Sequence, residues 1–131
     1  MIKGLLLGAI VLAAPTDIFT SQKVYTKGEG GIATAKITLS AAPGWKFNDQ
    51  YPFSLRGYRN KIHPSNKVDG SASFMALPRN SGVDFTFRLA AEQFKLTDDK
   101  LYVKVNFSFC SETACKVWRD QVFEFTPKDL K

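Results

Sequence analysis

Between Leu101 and Phe109 every second residue is apolar: Leu101, Val103, Val105, Phe107 and Phe109 alternate with Tyr102, Lys104, Asn106 and Ser108. A period of two marks a strand that buries one face, and this one runs straight into Cys110. Ser111 to Ala114 separate Cys110 from Cys115, after which Val117, Trp118, Val122, Phe123 and Phe125 form a second β-like run interrupted by Arg119 and Asp120. The pattern predicts a hairpin with a cysteine at each shoulder of its loop. Strands joined by so short a loop pair antiparallel, which sets opposed Cα atoms about 4.5 to 5.5 Å apart. That is disulfide distance.

The same alternation recurs upstream. Ala33, Ala35, Ile37 and Leu39 share one face of Ile32 to Ser40, and Val83, Phe85, Phe87 and Leu89 alternate with Asp84, Thr86 and Arg88. Both stretches are strands by this criterion. Shorter β-like segments lie at Lys23 to Thr26, Trp45 to Phe47, Phe53 to Arg56 and Ser71 to Leu77, with Trp45 expected as a core anchor. Gly28-Glu29-Gly30-Gly31 reads as a turn, lacking the spacing and trailing Lys-Ser/Thr of a phosphate loop. Gly57 to Gly70 has no sustained period, which predicts a surface loop or a twisted edge strand. Ala90 to Lys100 has room for one helical turn, ended by Thr97-Asp98-Asp99. Many short strands separated by turn signals, with no long helix, predict an all-β, immunoglobulin-like antiparallel β-sandwich. The 11 phenylalanines supply much of its core.

At 131 residues the chain is one domain by length. Its first 14 residues pair Lys3 with an uncharged apolar run, Gly4 to Ala14, that ends in small residues. That run is well short of the roughly 20 residues needed to span a bilayer as a helix, so it is expected to be a secretory signal peptide. The expected organisation is a signal at 1–14, a lead-in or edge strand at 15–31 and the sandwich at 32–131. No cysteine ends the apolar run, so lipid attachment is not expected, and no membrane span is expected once the signal is removed. The expected location is periplasmic or secreted. An oxidising compartment lets two cysteines become a disulfide.

The formal charge is +6, carried by 18 basic and 12 acidic residues scattered along the chain. Scattered charge reads as a solvated basic surface rather than a nucleic-acid site. A single histidine, His63, and two cysteines cannot assemble an ordinary zinc site. His63 precedes a proline in a polar stretch and reads as a surface residue; no nucleophile elbow accompanies it. Asp98 and Asp99 are adjacent and would point to opposite sides if extended, which suits a turn rather than an acid/base pair. Asn106-Phe107-Ser108 matches a glycosylation sequon by letter but lies within a strand.

The chemistry that remains is at Cys110 and Cys115, for which two readings stand. A bridge closing so small a loop stabilises by only about 2 kcal/mol in the chain-entropy model and would be a structural staple. A bridge placed at a loop is also open to attack by a partner thiolate, and exposed disulfides are the exchangeable ones. Lys116 and Arg119 follow Cys115, whereas Glu112 lies nearer Cys110. Positive neighbours favour a thiolate, so charge alone makes Cys115 the attacking or attacked sulfur and Cys110 its resolving partner.

Ala42-Pro43-Gly44-Trp45-Lys46-Phe47, then Tyr51-Pro52, and finally Val105-Asn106-Phe107-Ser108-Phe109-Cys110 with Cys115 and a closing hydrophobic strand, resemble the N-terminal periplasmic domain of the thiol:disulfide interchange protein DsbD. The resemblance extends from Ile32 to Phe125. It implies an immunoglobulin-like fold, a dithiol/disulfide carrier working through a mixed disulfide at Cys110 and Cys115, and no metal or organic cofactor. The implied partner is a thioredoxin-like redox protein or domain, with no nucleic acid. It also implies a loop that caps the cysteines, for which Tyr58 to Phe74 is the candidate. Lys116 departs from the family, which would have proline after the second cysteine, and the stretch between Trp45 and Tyr51 lacks the usual aromatic and glycine pattern. With neither a membrane-embedded electron-transfer domain nor a CxxC thioredoxin-like one in the sequence, the reductant is expected in trans. The expected protein is therefore a monomeric thiol-disulfide carrier. The alternative is a non-catalytic binding or accessory module with a structural disulfide, its binding surface on a sheet face or around Tyr51 and Tyr58.

Overall fold

In the computed structural model of the chain, the described residues are 18–68, 73–89, 95 and 97–131. The signal-peptide expectation, and most of the segment expected to hold a helical turn, lie outside them. Among the described residues nine strands form: β1 (Phe19–Lys27), β2 (Ala33–Ala41), β3 (Lys46–Phe47), β4 (Ser54–Arg59), β5 (Lys67–Val68), β6 (Ser73–Arg79), β7 (Gly82–Leu89), β8 (Leu101–Cys110) and β9 (Cys115–Phe125). One sheet runs β1-β2-β7-β6; the other runs β9-β8-β4-β5, with β3 also paired to β8. Every strand pairing is antiparallel. In chain order this is the A-B-E-D and G-F-C-C′ arrangement of an immunoglobulin-like sandwich. The fold expected from the alternation is the fold found.

The inner faces follow that alternation. Leu101, Val103, Val105, Phe107 and Phe109 of β8 are fully buried, as are Ala33 to Leu39 of β2 at alternate positions and Phe85 of β7. At one end of the sandwich the core is aromatic: the Phe107 and Trp118 rings stack at 5.5 Å, and Phe19 lies 5.2 Å from Phe109 and 5.0 Å from Trp118. Such pairs add about 0.5 to 1.5 kcal/mol each beyond area burial. Trp45, expected as a core anchor, instead packs at the rim, only partly buried. The reason is its position on the turn before β3, a strand of just two residues that cannot carry it under the sheet.

β1 is longer than the segment that the pattern marks, because it is an edge strand held by its backbone ladder, Phe19 to Ala41 through Lys27 to Ala33. Among its residues only Tyr25 is fully buried. Burial, with a smaller contribution from the Asp99 charge, pushes the Tyr25 phenol up to about 12. Arg119 and Asp120 form a bulge in β9, where the register slips between Trp118 and Gln121 and Asp120 takes a positive φ of 55°. The outer face of the four-stranded sheet carries one buried carboxylate, Asp84. Arg79 and Thr38 each donate to it at 2.8 Å, and Lys36 stands 3.8 Å away.

Two expectations follow. An added Cβ on Gly57 would lie 2.5 Å from Phe87 Cζ. Gly57→Ala should therefore destabilise the fold by about 1 to 3 kcal/mol in urea unfolding, the usual cost of overpacking. Burial pushes the Asp84 carboxyl up, but the hydrogen bonds from Arg79 and Thr38 and the charges of Lys36 and Arg79 outweigh it and hold it below its ordinary 3.8. Its stabilisation is thus complete above the unfolded value and lost as pH falls through the lower folded one. Asp84→Asn should be less stable than the parent at neutral pH and lose less on acidification below about pH 4, measured by urea unfolding at several pH values.

Candidate functional site

The register makes Cys115 the direct partner of Cys110, and their Sγ atoms are bonded at 2.01 Å with Cα atoms 4.0 Å apart. The hairpin is tighter than a four-residue loop. Ser111 N–H donates to the Ala114 carbonyl at 2.7 Å, leaving Glu112 and Thr113 at the tip. The Ser111 hydroxyl accepts from the Thr113 and Ala114 amides, each at 3.2 Å. Because Ser111 and Ala114 form the hydrogen-bonded pair, Cys110 and Cys115 fall on the next, non-hydrogen-bonded one, where side chains approach most closely. The backbone alone therefore brings the two sulfurs together.

The face on which they lie follows from the pleat. Phe109 is inside, so Cys110 projects to the outer face of its sheet. Cys110 is half-buried and Cys115 is exposed. On the other side of β8 the short strand β3 pairs Lys46 with Cys110 and Phe47 with Phe109. One row across the outer face is thus Lys46, Cys110, Cys115. β3 is held there by the Asn48 amide, which donates to the Ser108 carbonyl at 2.8 Å, and by the Phe47 amide, which donates to the Ser81 carbonyl at 2.7 Å. Between this segment and the hairpin tip lies an open groove of about 1300 Å³, lined by Ala42, Trp45, Lys46, Cys110 and Glu112 among others.

The register also revises the charge argument. Lys116 pairs with Phe109 and so belongs to the opposite side of β9 from Cys115, and Arg119 is carried away in the bulge. The cation that stands next to Cys110 on the face of the bridge is Lys46. No local spacing could reveal it, since it depends on a two-residue strand pairing across the sheet. Tyr58 to Phe74 does not cap the cysteines through its described residues. β4 pairs Tyr58 with Tyr102 and β5 pairs Lys67 with Tyr58. Tyr102 is eight positions along β8 from Cys110, roughly 26 Å at about 3.3 Å per residue. The segment that flanks the bridge is 41–49 instead.

The other residues weighed from the sequence are occupied elsewhere. His63 is exposed, and its Nδ1 accepts from the Ser65 amide at 3.1 Å at the start of a short 3-10 turn. Asp99 accepts from the Asn60 side chain at 3.0 Å and from the Lys95 amide at 2.9 Å, so its carboxylate organises a turn. Asn106 donates to Ser54 Oγ at 2.8 Å and accepts from the Asp120 amide at 2.6 Å, which ties the bulge to the sheet. Among the described residues no three His, Cys, Asp or Glu side chains converge as a metal site, and no helix is long and apolar enough to cross a membrane.

No family model matches the chain, and no curated protein matches it in sequence. Among solved structures, it is similar to the N-terminal periplasmic domain of ScsB from Proteus mirabilis. The TM-score is 0.59 at 17% identity, covering 91% of this chain and 51% of that one. The chain therefore spans about half the length of that domain. At this identity the likeness is one of fold.

Replacing both cysteines by serine should lower stability by only about 2 kcal/mol, the chain-entropy value for so short a loop. Urea unfolding with an unchanged m-value would show this; a loss beyond about 4 kcal/mol would mean that the bridge carries the fold.

Proposed function

We propose that the chain is an exported, periplasmic dithiol/disulfide carrier that exchanges electrons with a thioredoxin-like protein or domain through Cys110 and Cys115. The observation that supports this reading is the placement of the bridge. It lies on the outer face at the end of its sheet, with one sulfur-bearing residue exposed and an open groove beside it. A staple serving only the core would gain nothing from that position.

The chemistry needs only sulfur. A thiolate of the reduced partner attacks Cys115 Sγ, the Cys110–Cys115 bond breaks, and its electron pair leaves on Cys110 as a thiolate. The partner is now joined to Cys115 in a mixed disulfide. A second thiolate of the partner attacks the partner's own sulfur in that bond, releasing Cys115 as a thiolate and leaving the partner oxidised. Two electrons have moved and the carrier holds a dithiol, which reverses the sequence on an oxidised acceptor. Cys115 is the entry point because it is the exposed member of the pair. In this reading residues 1–14 are the signal that delivers the chain to the compartment where the exchange runs.

The decisive measurement is the reduction potential of the pair, obtained by equilibrating purified protein in glutathione or dithiothreitol buffers and counting free thiols. A carrier is expected above about −250 mV, with rapid reduction by a thioredoxin-like donor. Cys110→Ser, its lone Cys115 first converted to a mixed disulfide with an aromatic thiol, should lose that aromatic thiolate to a donor lacking its own resolving cysteine and hold the donor as a mixed disulfide at Cys115. A potential below about −300 mV, with thiols appearing only on unfolding, would make the bridge structural and the protein a binding or accessory module.

A further inference from the structure

The row Lys46, Cys110, Cys115 carries an inference that rests on the exchange reading and assigns one more residue to it. We propose that Lys46 is the positioning residue for the leaving sulfur: its ammonium stabilises Cys110 as the thiolate released when a partner opens the bridge at Cys115.

Lys46 is directly opposed to Cys110 in the β3–β8 register, so their Cβ atoms are about 4.5 to 5.5 Å apart on one face. Both residues line the same groove. The lysine forms no ion pair among the described residues, whereas other lysines of the domain do, such as Lys36 with Asp84 and Lys104 with Asp120. Its strand is too short to serve as a major structural element, yet it is fixed by hydrogen bonds from Phe47 and Asn48. The remaining charges near Cys110 do not substitute for it. Glu112 at the hairpin tip and Asp49 at the edge of the groove are anionic and disfavour a thiolate. Lys116 belongs to the opposite face.

A thiolate leaves faster when its pKa is lower, and a nearby cation lowers it. When partner sulfur bonds to Cys115 Sγ and the Cys110–Cys115 bond breaks, the electron pair goes to Cys110 Sγ beside the Lys46 ammonium. No further oxidant or reductant enters the step, since the partner dithiol supplies both electrons. The residue also assigns an order to the pair: attack at Cys115 leaves a stabilised anion, while attack at Cys110 would leave its anion on the side away from the lysine.

The test uses Cys115→Ser as a background in which Cys110 is the sole thiol. Its titration is followed by the pH dependence of iodoacetamide alkylation with Lys46, Lys46→Met, Lys46→Arg and Lys116→Met. Lys46→Met is expected to raise the Cys110 midpoint by about half a unit, which is about threefold less thiolate at a fixed pH below it, the size expected of one exposed charge at cross-strand distance. Lys46→Arg should restore it and Lys116→Met should leave it unchanged. In the two-cysteine protein, Lys46→Met should slow opening of the bridge by dithiothreitol by a similar factor. An unmoved Cys110 midpoint in Lys46→Met, or an equal shift in Lys116→Met, overturns the assignment. This readout needs no partner, so failure of the exchange reading, seen as a refusal to accept electrons from a thioredoxin-like donor, is recorded separately.

Discussion

The structure depends on one strand having two unlike faces. The inner face of β8, Leu101 to Phe109 at alternate positions, is completely removed from water, with Phe107 packed against Phe85 of β7 and the aromatic residues of β1 and β9 closing over it. At about 25 cal/mol per Å² of apolar surface, burial of side chains such as Phe107 and Phe109 is the dominant favourable term. The outer face of the same strand carries Tyr102, Lys104, Asn106, Ser108 and Cys110. Because the pleat has a strict period of two, locking Phe109 inward locks Cys110 outward. A slip of one residue would bury the cysteine and expose the phenylalanines.

That constraint separates stability from chemistry. The core end of the hairpin is held by Phe107 stacked on Trp118 and by Phe125 under the sheet, while the bridge closes only a short loop. A bridge that closes so short a loop is expected to add only about 2 kcal/mol, so the fold is expected to survive having it opened. The same separation appears along the length of the sandwich. At the end away from the cysteines, Asn60 and Asp99 bind each other and the backbone of the facing loop, with the Lys100 amide donating to Asn60 Oδ1 at 2.9 Å. Those polar groups are spent on turns. At the cysteine end, Lys46 shares the face of the bridge and forms no ion pair among the described residues.

Two small irregularities shape the site. The bulge at Arg119 and Asp120 lets β9 twist against β8 and removes Arg119 from the ladder, with Asn106 capturing the freed Asp120 amide. The two-residue strand β3 then takes the place on β8 beyond the end of β4, so that the segment around Trp45 lies alongside Cys110. Without it, Cys110 would be an edge cysteine with no neighbour on that side.

Much of this was legible in local pattern. The period-two runs of β2, β7 and β8, and the cysteines at the shoulders of a short hairpin, follow from the alternation of side chains and from antiparallel geometry, which act between residues close in sequence. What needed the tertiary structure was every relation across strands: the sheet order, the ladder that extends β1, the placement of Trp45 at the rim, and Tyr58 and Lys67 of the capping candidate falling near the far end. Lys116 and Lys46 show the reason. Adjacency along the chain placed a cation beside Cys115, but the pleat turns sequence neighbours to opposite faces. The cation next to Cys110 on the face of the bridge comes from a strand paired at long range, and the pairing is chosen by burial of the whole core rather than by any residue near it.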